Sequence, residues 1–184
     1  MLKMRLFFVF MGFVSLVGLA GCQPSLNWRA VQMQGTQMSV ELPCKPDRTV
    51  KTVQMAGQAL ELAVAGCEAG DAVWAVMSTQ LPASVNRNDV LKGWRQATLQ
   101  NMKAQAVDDV LWTHPKVSVL PGTLRVKAKG AGPDQKPVFA HAAWFAHVEG
   151  DAVRLVHLVV YHSTLSGFQN EAQTAPFFES VKLP

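Results

Sequence analysis

Four histidines close together near the end of the chain are the first candidates for chemistry. They are His141, His147, His157 and His162. Imidazole nitrogens ligate metals and transfer protons near neutral pH. If the two segments that carry them are β-strands, His157 falls on the opposite sheet face from the other three. Histidines spaced in this way are more often core or surface residues than ligands, so we expect no metal site and no cofactor.

No catalytic motif accompanies these histidines. Serine and aspartate are present, but the chain has no nucleophile elbow, no His-Glu-x-x-His metal helix and no Gly-rich phosphate loop. The sequence therefore predicts no catalytic residue, and an enzyme is the weaker interpretation.

The start of the chain has the pattern of an export signal. Lys3 and Arg5 form a short positive region, and the uncharged, apolar stretch 6–20 follows it. That stretch is short for a membrane span, which needs roughly 20 apolar residues. We therefore expect residues 1–21 to be a cleaved signal peptide; an ordinary signal or an uncleaved anchor with an incidental cysteine is the alternative.

The sequence Leu19-Ala20-Gly21-Cys22 resembles the lipobox of bacterial lipoproteins. The resemblance implies that the Cys22 thiol receives a diacylglycerol with fatty acyl chains such as palmitate, and that the membrane is a partner through this anchor. Gln23 follows where inner-membrane lipoproteins of many Gram-negative bacteria carry Asp, so the resemblance favours the outer membrane, facing the periplasm. Residues 22–27 then form a lipidated tether, and 28–184 a single domain.

Export also bears on the other two cysteines. Cys44 and Cys67 alone remain in the mature chain, and an even pair in an oxidising compartment favours one disulfide. Two buried free thiols are the alternative.

The formal net charge of the whole chain is +4, and cleavage of the signal would remove Lys3 and Arg5. The remaining charge is too weak to predict a nucleic-acid partner.

The first half of the mature chain shows the two-residue alternation of β-strands. We expect strands over residues 38–42, 49–55, 60–65 and 72–79, with turns at Gly57 and at 66–71. Asn88 then caps a predicted helix over 89–105, whose apolar stripe includes Trp94. Its basic residues lie mainly off that stripe, which favours a helix packed on a sheet over a ligand-binding helix. The basic residues are Arg87, Lys92, Arg95 and Lys103.

Strands return in the second half. We expect them over 116–120 and 124–129, then a loop over 131–136. The clearest hairpin joins 138–148 to 152–162 through a two-residue turn at Gly150, so odd residues of the first strand pair with even residues of the second.

The two faces of this hairpin differ in composition. One face is almost wholly apolar and carries Trp144, so we expect the helices to pack there. The other is mixed and could meet solvent or a partner. This candidate binding face contains His141, His147, Arg154 and His162 among Phe139, Phe145, Val156 and Leu158.

The end of the chain completes a recognisable order of elements. A short helix is expected around 171–180, interrupted or restarted by Pro176. The segment Val40-Glu41-Leu42-Pro43-Cys44-Lys45-Pro46, the mid-chain helix and the ending Phe177-Phe178-Glu179-Ser180-Val181-Lys182-Leu183 resemble the Mog1/PsbP-like family. The resemblance implies an α+β fold: an antiparallel sheet packed with a mid-chain helix and a short C-terminal helix. Cys44 departs from the small residue expected between the prolines.

These features favour a noncatalytic binding protein. Members of the family are mainly noncatalytic binding or assembly factors, so the resemblance implies a lipid-anchored envelope protein that binds a protein or cell-wall partner. The alternative is a small-ligand or metal-binding lipoprotein that uses the histidine face.

Overall fold

The computed structural model describes residues 25–55, 57–110, 112, 114, 117 and 124–184. The predicted signal peptide, Cys22, the first part of the tether and all of the predicted strand 116–120 except Val117 lie outside the described residues.

Seven antiparallel strands form the main sheet, in the order β3-β4-β5-β9-β8-β7-β6. Their bounds are β3 Asp47–Met55, β4 Gln58–Ala69, β5 Ala72–Leu81, β6 Ala106–Val110, β7 Leu124–Ala131, β8 Pro137–Glu149 and β9 Ala152–His162. The predicted antiparallel sheet is confirmed, and strands outweigh helices in the described residues.

Glycines at three tight turns fix the hairpins. Gly57, Gly70 and Gly150 all have positive φ, which glycine adopts without steric cost. Gly57 and Gly150 lie where the sequence predicts turns. The turn predicted over 66–71 is shorter, because β4 continues to Ala69. The sheet thus has a Gly70 end, where β5 and β8 begin, and a Gly150 end, where β8 and β9 meet.

A second, two-stranded sheet lies on one face of the main sheet. β1 (Arg29–Gln32) was not predicted, whereas β2 (Ser39–Leu42) was. The β1–β2 loop lies at the Gly150 end, where the Gln37 amide donates to the Glu149 carboxylate over 3.0 Å.

Three helices complete the described fold: α1 (Arg87–Asn101), α2 (Leu165–Gln169) and α3 (Glu171–Glu179). The predicted mid-chain helix exists, but its cap is Asn86, whose side chain accepts from the Asn88 amide. It also ends at Asn101 rather than near Gln105, because Lys103 has a φ of +45°, which does not continue a right-handed helix. α3 continues through Pro176, and α2 was not predicted. None of the described helices is long and apolar enough to cross a membrane.

Both faces of the sheet are covered, which corrects the expectation that the helices share one face. α1 packs on the face of Trp144, over a core that includes Leu155 and Val159. The β1–β2 pair and the C-terminal segment cover the other face, over a core that includes Phe145 and Leu158. Phe145, Val156 and Leu158 of the predicted mixed face are therefore core residues, whereas Phe139 is half-buried.

Candidate functional site

The β8–β9 register confirms the two-residue turn at Gly150. Phe139 pairs with His162, His147 with Arg154 and Glu149 with Ala152. Side chains alternate between faces along each strand. His141, His147, Arg154 and His162 therefore share one face, and His157 lies on the other, as predicted.

Two of these histidines are buried at the Gly70 end. His141 and His162 lie with ring centroids 5.6 Å apart and are 0% and 1% exposed. The unpredicted helix α2 places Phe168 against them, 4.7 Å from the His141 ring. Of the two possibilities for this face, solvent or a partner, exposure to solvent does not hold for His141 and His162, because α2 covers them.

His141 is held as a neutral imidazole. Its Nε2 lies 2.8 Å from the Phe168 carbonyl, which can only accept, so Nε2 carries the proton. Burial lowers the pKa of His141 to about 4, against the opposing effect of this hydrogen bond. Nδ1 has no partner among the described residues.

His162 lines a groove of about 430 Å³ at the Gly70 end. Neither of its ring nitrogens has a hydrogen-bond partner among the described residues. Burial lowers its pKa, although the nearby Asp71 carboxylate acts in the opposite direction. The other polar residues of this groove are Glu68, Asp134, Lys136, Tyr161 and Ser163.

The other two predicted residues lie at the Gly150 end. Arg154 Nε donates to Glu149 Oε2 over 2.6 Å, and Arg154 Nη2 donates to the Gly35 carbonyl. Although burial opposes it, hydrogen bonds from Arg154 and the Gln37 amide lower the pKa of Glu149. His147 is half-buried beside Arg154, and burial lowers its pKa. This cluster fastens the β1–β2 loop to the end of the hairpin.

The predicted binding face is thus two separate clusters. His141 and His147 are six residues apart on β8, which at the rise of an antiparallel strand is about 20 Å. His147 cannot share one metal ion with His141 and His162. Within the described part of the chain, no group of three or more His, Cys, Asp or Glu side chains is placed to hold a metal ion.

Cys44 and Cys67 lie at disulfide distance, with their Cα atoms 6.0 Å apart. Cys44 follows β2, and Cys67 lies in β4, so the pair links the small sheet to the main one. The link lies near the Gly70 end, close to where the described chain begins.

Sequence reasoning missed a basic groove of about 400 Å³ between α1 and β6. Its lining residues are Lys92, Arg95, Gln96, Leu99, Gln100, Lys103, Ala104 and Val107. The basic side chains of α1 were visible in the sequence. Their neighbour β6 was not, because four of its five residues are exposed and show no alternation.

Comparisons with family models, with curated proteins and with solved structures find no match to this chain.

Proposed function

We propose that this protein is a lipid-anchored, noncatalytic protein of the bacterial envelope that binds or assembles with a protein or cell-wall partner. The lipobox-like sequence ending at Cys22 supports the anchor. The Cys44–Cys67 pair supports an oxidising compartment. The order of sheet, mid-chain helix and C-terminal helices supports an α+β, Mog1/PsbP-like domain.

The position of the first described residues carries this proposal. The Asn27 amide donates to the Pro43 carbonyl over 2.7 Å, and Trp28 packs edge-on against Trp74 at 5.6 Å. Both contacts lie toward the Gly70 end. Five residues of extended chain reach at most about 17 Å, so an acylated Cys22 would hold this end close to the bilayer.

An anchor at the Gly70 end would direct the Gly150 end into the periplasm. Val148 at that end is 53% exposed, and Arg154 and His147 lie beside it. Proposed partner contacts therefore involve this end and the flanks of the domain. The outer membrane is the proposed site of anchoring, because Gln23 stands where inner-membrane lipoproteins of many Gram-negative bacteria carry Asp.

Metabolic labelling with a fatty-acid analogue tests the anchor. The wild-type protein should take up label, whereas Cys22→Ala should not, because the acceptor thiol is missing. Cys44→Ala is the matched control and should still be labelled. Label on the Cys22→Ala variant would contradict the proposal.

Photo-crosslinking in intact cells tests the orientation. A crosslinking residue at Leu165, which is 45% exposed near the Gly70 end, should capture lipid. The same residue at Val148 should capture a protein or cell-wall fragment. The reverse pattern would contradict the proposed orientation.

One observation favours small-ligand or metal binding as the second candidate. Neither ring nitrogen of His162 has a partner among the described residues, and the Asp71 carboxylate lines the same groove at the Gly70 end. Zinc titration by calorimetry tests this candidate. A stoichiometric heat that His162→Ala abolishes and His147→Ala preserves would support it, since the two residues lie in different clusters.

A further inference from the structure

β6 forms one outer edge of the main sheet. Within the described residues it pairs with β7 alone. Alternate backbone N–H and C=O groups of such a strand point outward and can pair with an added strand. Val107 on this strand is 37% exposed, although it is apolar.

Helix α1 crosses one face of the sheet and approaches this edge, where Arg95 contacts Asp109 of β6. Lys92, Gln96 and Leu99 recur at helical spacing, and Lys103 follows the end of α1. All four line the groove beside Val107. Leu99 is half-buried, so the floor of the groove is apolar and its rim is polar. An edge strand beside a helix offers backbone pairing and side-chain contacts to one extended ligand.

Three basic side chains line the groove, whereas β6 beside it carries Asp108 and Asp109. Lys92, Arg95 and Lys103 line it, and Arg95 donates to the Asp109 carboxylate over 2.6 Å. The two lysines are exposed and have no ion pair within the described part of the chain. Two cationic charges are therefore left for an anionic ligand.

Both lysines line the groove, although only one belongs to the helix. Lys92 lies within α1, and Lys103 lies just beyond its last residue, Asn101. The five residues of β6 span about 17 Å at the rise of an antiparallel strand. A peptide paired with β6 would lie beside the groove that both lysines line.

Lys103 also has an unusual backbone conformation. Its φ is +45°, in the left-handed region where helices commonly end on glycine. Lysine at this position is less favourable than glycine, yet it places an ammonium group at the end of the groove.

We propose that an extended, acidic segment of a partner protein docks along β6 as an added strand, with its side chains in the groove beside α1. This inference rests on the proposed binding function and names the class of partner. The exposed strand edge, the apolar floor and the two unpaired lysines each correspond to one property of that segment.

Fluorescence anisotropy with the full-length protein in detergent tests the proposal. The probe is a labelled peptide of alternating Glu and Val. It should bind, and Lys92→Glu with Lys103→Glu should weaken binding about tenfold, because two attractions become repulsions. Lys45→Glu with Lys51→Glu on the far side of the sheet is the matched control and should leave the affinity unchanged.

A second peptide separates strand addition from simple charge attraction. The same sequence with N-methyl groups on alternate backbone amides keeps its charge but loses the donors that pair with a strand edge. It should not bind measurably. Equal binding of the two peptides, or no binding of the first, would overturn the proposal.

Weakening by the Lys45 and Lys51 substitutions instead would place the peptide at β3 and would also overturn it. None of these outcomes affects fatty-acid labelling at Cys22, so failure of the groove and failure of the anchor are distinguishable.

Discussion

The indole of Trp144 stacks on the imidazole of His157, with ring centroids 4.5 Å apart and planes inclined by 18°. The two residues face each other across β8 and β9. The ring centroid of Trp94 in α1 lies 5.3 Å from that of His157. This cluster joins α1 to the centre of the sheet.

Trp144→Ala should lower the free energy of unfolding by about 3–5 kcal/mol, the usual cost of deleting a buried aromatic side chain. Trp144 is 1% exposed, so its removal leaves a cavity under α1. His147→Ala, at a half-buried position on the other face, should cost far less. Urea midpoints of the two variants check this contrast, and equal losses would contradict it.

Stability should fall as the pH drops below about 6.5. Burial lowers the pKa of His157 to about 3 and that of His141 to about 4. Between these values and 6.5 the unfolded chain binds more protons than the folded chain, so protonation favours unfolding. Each of the two residues should cost about 2 kcal/mol at pH 5.

Denaturant unfolding between pH 5 and pH 8 measures this dependence. His157→Phe keeps a ring beside Trp144 but cannot titrate, so its stability should change less steeply with pH. An unchanged slope in this variant would show that His157 does not remain neutral through burial.

Gly130→Ala should be strongly destabilising, by about 2 kcal/mol or more, as expected for overpacking. A Cβ atom at Gly130 would overlap the Met102 carbonyl oxygen at the end of α1. The Ala131 amide donates to the same oxygen over 2.7 Å, which fixes the helix end against β7.

Gly93→Ala is the matched control, because a Cβ there meets nothing within 4 Å and the residue lies within α1. It should stabilise the protein by about 0.5–1 kcal/mol. Thermal unfolding of both variants is the measurement, and a stable Gly130→Ala protein would contradict the close approach of α1.

Removing the Cys44–Cys67 link should cost about 3 kcal/mol, because it closes a loop of 23 residues. Mass spectrometry of a nonreduced digest should find the two peptides joined. Unfolding of the Cys44→Ala, Cys67→Ala double variant, with and without reductant, measures the effect. Two freely alkylated cysteines in protein from envelopes would contradict the link.

Local patterns predicted the parts of the fold that one residue type determines. Glycine at 57 and 150 marks two turns because few other residues adopt positive φ, and the turn at Gly150 fixes the register of β8 and β9. Alternation along these strands also identified Trp144 as a core residue.

The short elements could not be predicted in this way. β1 and β6 have four and five residues and are mostly exposed, so neither shows a burial pattern. α2 has five residues, and its cover over His141 and His162 depends on Phe168. The histidines therefore looked like a polar surface, although neighbours distant in sequence bury them.

The Cys44–Cys67 link has a mechanical consequence for a chain held at its N-terminal end. Tension applied there reaches the Asn27–Pro43 hydrogen bond first and then peels β1 and β2 from the domain. A disulfide between this pair would stop the unravelling at Cys44, because it would pass the load directly to Cys67 in β4. β3 lies within the closed loop and would bear none of this force, whereas residues 25–43 would extend under the load before β4 of the main sheet carried it.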